Sequence, residues 1–184
     1  MNTKKFGNIG EAVAISSFVK YGLPVYLPFG DNERSDLIAE FGGKLNKIQV
    51  KTSVNTKNGV VMFNLASSTC HRKKGCKHKY TPDEVDYFFC YNIARDKSYL
   101  IKVSDVPKTE ISIRYELPKN CQNKNIHLEK ECLFDNVIQK IIKTTAVKTA
   151  VLYCQIAQLV ERQSVKLDAV GSFPTLAAIC ANML

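Results

Sequence analysis

The chain has 184 residues, 45% of them hydrophobic, which fits one globular domain with an appended tail. No run approaches the roughly 20 apolar residues that span a bilayer, and Lys4 and Lys5 are not followed by the apolar stretch of a secretion signal; a soluble, cytoplasmic protein without a membrane partner is expected. Seven scattered cysteines lack the pattern of a secreted disulfide scaffold and are expected as free thiols.

In chain order, residues 8–21 read as a helix, with Glu11, Ile15, Phe18 and Val19 on one face and Gly22 and Pro24 as the stop. Strand-like runs follow at 25–29, 35–41, 47–53 and 60–65. A basic loop over 67–81 leads to further strands at 86–92, 99–103 and 111–115. Residues 120–125 read as a polar loop, and 133–163 as one long helix or two. Helix, then consecutive strands, then helix predicts an α/β architecture with a mixed sheet flanked by helices.

The formal net charge of +9 becomes informative once it is located. From Phe41 to Pro82 there is no Asp or Glu, while Lys44, Lys47, Lys51, Lys57, Arg72, Lys73, Lys74, Lys77 and Lys79 all lie in that window. These are nine of the chain's 26 basic residues, and the remaining 17 balance its 17 acids. A localised excess of this kind suits a phosphate backbone, so double-stranded DNA is the expected partner and the window's cations other than Lys51 its expected contacts.

Gly42-Gly43, between two strand-like runs, signals a two-residue hairpin turn. With Phe41 facing Lys44, Asp36 falls opposite Gln49 and diagonal to Lys51 on one face. Leu37, Ala39, Phe41, Ile48 and Val50 then form the other, apolar face. A carboxylate, an amide oxygen and an ammonium on one surface suit phosphodiester hydrolysis. Asp36 offers a hard ligand to a divalent cation and Gln49 a neutral oxygen. Lys51 is placed to orient a water or stabilise phosphoryl charge. Glu11, read as lying on the core-facing side of the first helix, is a supporting acid and a further ligand.

These residues, Gly10-Glu11, Ser35-Asp36 and Gln49-Val50-Lys51, resemble the PD-(D/E)XK nuclease superfamily. The stretch 7–103 is similar to the intron-associated homing endonucleases of bacterial group I introns that use this fold. The resemblance implies a restriction-endonuclease-like αβββαβ core, Mg2+-dependent cleavage of DNA, and assembly as a homodimer or homotetramer. It implies that Asp36 is the metal-binding aspartate, Lys51 the catalytic lysine and Glu11 the helix-one glutamate. Two departures stand out: Ser35 replaces the motif's Pro, and Gln49 stands where Asp or Glu is usual, which leaves the number of bound metals open. A junction-resolving or restriction-type nuclease, or a non-catalytic nucleic-acid-binding module with a decayed motif, shares most of these features.

Cys70, His71, Cys76 and His78 are the only metal-like cluster, but a five-residue cysteine spacing among lysines disfavours zinc. The nuclease domain is expected over 1–145. Residues 146–184 form a C-terminal tail, helical or poorly structured. Ile156 to Arg162 (IAQLVER) is what a tRNA D-arm encodes, and Gly171-Ser172 with Pro174 fits a T-arm at the matching distance. The tail therefore reads as translation running into a tRNA gene.

Overall fold

The computed structural model describes residues 3–30, 33–69, 76–106, 109–116 and 127–164. Its contacts divide the chain into Met1–Ile141 and Ile142–Leu184. In chain order the elements are α1 (Thr3–Lys20), β1 (Val25–Tyr26), β2 (Leu37–Phe41), β3 (Lys44–Ser53), β4 (Thr56–Lys57) and β5 (Val60–Asn64). Then come β6 (Ser67–Thr69), β7 (Cys76–His78), β8 (Tyr87–Asn92), β9 (Lys97–Lys102), β10 (Glu110–Arg114), β11 (His127–Leu128), α2 (Glu129–Cys132) and α3 (Phe134–Ser164).

The main sheet has the order β1-β2-β3-β8-β9. All its neighbours are antiparallel except β3 and β8, which run parallel with Val50 beside Phe89 and Lys51 beside Cys90. A second sheet, β11-β10-β5-β4, and the small hairpin β6-β7 complete the strands. The α/β fold with a mixed sheet and flanking helices is as the sequence predicts. The second sheet is an addition, because strands only two to five residues long carry too little alternation to show how they pair. The segment 67–81, read as a loop, is a hairpin at its base, with Ser67 paired to His78 and Thr69 to Cys76. The run 25–29 yields only a two-residue strand: Pro28 has no N–H to pair, and Phe29 is fully exposed.

Helix α1 begins earlier than expected, ends at Lys20 and is capped by Gly22. That residue adopts φ +69°, and Leu23 N–H donates to Phe18 O at 3.2 Å while Gly22 N–H donates to Val19 O at 2.9 Å. This left-handed cap satisfies the last carbonyls of the helix. The buried stripe of α1 is Gly10, Ala14 and Phe18, one residue every turn, rather than the expected Glu11, Ile15, Phe18 and Val19. Val19 is 58% exposed. Small residues at 10 and 14 let the helix sit close to the sheet, and that rotation carries Val19 and Glu11 out of the core.

Two apolar layers result. Between α1, the first turns of α3 and the main sheet lie Phe18, Leu37, Phe41, Ile48, Val50, Phe89, Phe134 and Ile138. Phe18 is fully buried there, with its ring edge-on to Phe134 at 4.9 Å between centroids. Burial of one such side chain is worth about 1.5–3 kcal/mol, and truncating it costs about 3–5 kcal/mol. The second layer, between the two sheets, contains Val61, Phe63, Phe88, Cys90, Tyr99, Ile111 and Ile113. Its edge is fastened by Glu129, which accepts from Arg95 and from the Tyr99 hydroxyl at 2.8 Å, with the Arg95 guanidinium 3.7 Å above the Tyr115 ring. No described helix is long and apolar enough to cross a membrane.

Candidate active site

The hairpin turn sets the register of the site. Gly42 and Gly43 take φ +65° and +76°, a conformation that favours glycine over any residue with a Cβ. Phe41 pairs with Lys44 and Leu37 with Ile48, so the frame read from the two glycines holds along β2 and β3. One residue beyond β2 the pairing still continues, since Asp36 N–H donates to Ile48 O at 2.9 Å. Asp36 therefore meets Gln49 directly. Its Oδ2 accepts from Gln49 Nε2 at 2.5 Å and from Val50 N–H at 2.7 Å.

Lys51, two residues further along β3, lies on the same face as Gln49. Phe88 and Cys90 of β8 stand beside Gln49 and Lys51 in register, so this face continues into the layer between the two sheets. Ile48 and Val50 point the other way, into the layer under α1. The polar trio thus sits at the rim of an apolar layer, and burial perturbs its charges. It pushes the Asp36 carboxyl above its usual range, against the bond from Val50, the nearby Lys51 charge and the bond from Gln49. Burial pulls the Lys51 ammonium below the usual lysine range, while Asp36 pushes it back up. Each charge is costly in this place without its neighbour.

Glu11 is exposed, which corrects its expected core-facing position. It flanks the buried stripe of α1, next to Gly10. Its carboxyl is nonetheless raised, first by partial burial and then by the negative charge of Asp36, so the two acids share one field. The helix is brought this close by Gly10: a Cβ there would lie 2.0 Å from Thr52 Oγ1 and 3.2 Å from Val50 Cγ1. Asp36, Gln49 and Lys51 are therefore brought together on one face, and Glu11 lies where the Asp36 charge acts on it. Two carboxylates and an amide offer hard oxygen donors, although among the described residues no group of three or more His, Cys, Asp or Glu is placed to hold a metal.

The basic residues are less gathered. Lys44 is at the turn, five residues from Gln49 and so about 16 Å along the strand, where its Nζ pairs with Asp86 Oδ1 at 2.9 Å. Asp86 Oδ2 also accepts from Lys47 N–H at 2.9 Å, a structural fastening of β3 to the start of β8. The side chains of Lys47, Lys57 and Lys79 are exposed. Arg72, Lys73 and Lys74 lie outside the described residues, as do Cys70 and His71 and the side chains of Cys76 and Lys77. His78 is engaged by Glu84, whose two oxygens lie 3.0 Å from Nε2. Tyr80 received no role from the sequence, yet its ring centroid is 5.0 Å from Lys51 Nζ. No local pattern marks it, because it reaches the site only through the fold of the β6-β7 hairpin.

The PD-(D/E)XK endonuclease family profile matches residues 1–135. The comparison with curated proteins gives no match. Among solved structures, the chain resembles a bacterial homing endonuclease, I-Ssp6803I, with a TM-score of 0.64 and 22% identity over 81% of this chain and 99% of that one. At that identity the likeness speaks for the fold.

Proposed function

The chain belongs to the PD-(D/E)XK endonuclease family, and on that premise we propose that it is a sequence-specific, Mg2+-dependent endonuclease of double-stranded DNA of the homing type. The observation that carries the proposal is the two-residue turn, whose register brings Asp36, Gln49 and Lys51 onto one rim within reach of Glu11. A likeness to a homing endonuclease across nearly the whole of that protein supports the subtype.

The donor set fits a hard divalent cation. Asp36 and Glu11 are both harder to ionise than usual, each first because of burial and Glu11 also because of the Asp36 charge, and a bound cation would favour their ionised forms. Asp36, Gln49 and Glu11 would hold it. When bound, such a cation polarises a phosphate oxygen and lowers the pKa of a bound water. Gln49 presents Nε2 to Asp36, so offering its oxygen instead requires the amide to turn over, at the cost of that hydrogen bond. The backbone bond from Val50 keeps the Asp36 carboxylate oriented through that change. Lys51 places a positive charge where the phosphoryl oxygens gain negative charge, in a half-buried position that strengthens the interaction.

The exposed cations Lys47, Lys57 and Lys79, together with Lys44, Arg72, Lys73, Lys74 and Lys77, are proposed to meet the DNA backbone. A symmetric pair of copies would set one active site on each strand and lengthen the sequence read by so small a chain, so the working form is proposed to be a homodimer or homotetramer reading a pseudopalindromic target.

The test is incubation with a randomised duplex library, with and without Mg2+, followed by sequencing of the ends. Cleavage at a defined site in Mg2+ only, abolished in both Asp36→Asn and Lys51→Ala while the fold survives, is the expected result. Undiminished cleavage by both variants sinks the assignment. DNA binding with no cleavage under any divalent ion would favour a binding module instead.

A further inference from the structure

Tyr80 follows β7 and is 7% exposed. Its ring is fixed from three sides. Phe88 and His78 pack edge-on against it at 5.7 and 5.8 Å between centroids, and its hydroxyl is hydrogen-bonded to the Ser67 side chain. Over the face of this ring lies Lys51 Nζ, 5.0 Å from the centroid. Among the described residues no carboxylate comes within the 4.0 Å of Nζ that would make an ion pair. Asp36 acts on the ammonium as a charge at longer range. The fixed partner of the ammonium is therefore the negative π face.

We propose that Tyr80 is a positioning residue of the active site, whose ring face holds the Lys51 ammonium at the Asp36 rim before DNA arrives. This rests on the role proposed above for Lys51. A lysine has a long, mobile stem, and fixing it only when substrate binds would spend substrate-binding energy on ordering. A cation over a desolvated aromatic face is already held, by an interaction large enough to matter for rate. The same ring belongs to the hairpin that carries the basic segment after Thr69. Tyr80 thus joins the part proposed to meet DNA to the residue proposed to act on it.

The hydroxyl and the ring separate by substitution. Tyr80→Phe keeps the π face and loses only the bond to Ser67; Tyr80→Met fills similar volume without a π face. The expected result is that Tyr80→Met lowers kcat about tenfold, equivalent to about 1.4 kcal/mol, with KM for DNA nearly unchanged. Tyr80→Phe should recover most of that rate.

A second readout needs no activity. In free wild-type protein and Tyr80→Phe the ring current should shift the Lys51 ε-methylene protons upfield, and in Tyr80→Met that shift should vanish. An ordinary shift in wild type overturns the proposal even if Tyr80→Met fails to fold. So does a wild-type kcat in a folded Tyr80→Met, or a Tyr80→Phe as slow as Tyr80→Met. Full cleavage by Lys51→Ala would instead overturn the role of Lys51, and the proton shift would still report where the ammonium rests.

Discussion

Gly10→Ala adds one methyl group at the point where α1 comes closest to the sheet. That methyl would sit 2.0 Å from Thr52 Oγ1, and carbon and oxygen need over 3 Å, so the contact must open by roughly 1 Å. Thr52 Oγ1 is buried and makes no hydrogen bond, but its χ1 is stiff in a strand and Val50 Cγ1 closes the other side at 3.2 Å. Overpacking of this kind costs about 1–3 kcal/mol, against a gain of about 1 kcal/mol from alanine in a helix interior. The net loss of about 0–2 kcal/mol should lower Tm by only a few degrees. Activity should suffer more, because lifting the helix moves Glu11 away from Asp36, and about 1 Å of misplacement can cost up to 100-fold in rate. The rescue is Thr52→Ala, which leaves its Cβ at an ordinary 3.4 Å from the new methyl group. Single-turnover cleavage of a duplex carrying the target, alongside thermal melts, would measure both effects. Wild-type cleavage by Gly10→Ala, or a double variant as slow as the single one, would refute the reasoning that the Gly10–Thr52 contact sets the position of Glu11.

Three further outcomes are expected. Divalent-ion affinity should fall with pH starting above the ordinary carboxylate range: Asp36 and Glu11 are both raised, first by burial, and only their ionised forms bind a cation. A calcium titration by calorimetry across the acid range would show this, and a midpoint at or below the usual carboxyl values would contradict it. At Glu129 desolvation acts upward, but the bonds from Arg95 and Tyr99 outweigh it and the carboxyl is depressed below 4.5. Its contribution to stability is therefore full above about pH 4.5, the unfolded value, and is lost as pH falls through the lower folded one. Acid unfolding should be shallower in Glu129→Gln, and an identical profile would exclude the residue. Truncation after Thr149 should leave folding and cleavage essentially unchanged, because every buried residue among those described lies at or before Ile138. Loss of soluble protein on truncation would give the tail a role, and a coding sequence between Cys154 and Ala177 that cannot fold as a tRNA would remove the proposed origin.

Much of the site was legible because one local device controls it. Two adjacent glycines fix a turn, the turn fixes a register, and strand alternation does the rest, so Asp36, Gln49 and Lys51 could be placed on one face from spacing alone. The rotation of α1 was harder to read. Two stripes compete on that helix, and the larger side chains at 15 and 19 suggest one face. The packing chose Gly10, Ala14 and Phe18, because close approach rewards the absence of side chain as much as its presence. Apolar periodicity counts bulk and cannot see a face defined by its small residues.

The same limit explains Tyr80. An aromatic ring in a basic, polar run looks like a surface residue, and only the pairing of Ser67 with His78 turns it back beneath Lys51. Lys44 shows the converse. Its window is acid-free only in sequence, and Asp86 reaches it across the parallel pair of β3 and β8, so a phosphate would have to compete with that carboxylate. Charge read along a chain is a property of the chain. The field that a phosphate meets belongs to the fold, and in this protein the fold spends one of its lysines on an aspartate and places another against a ring.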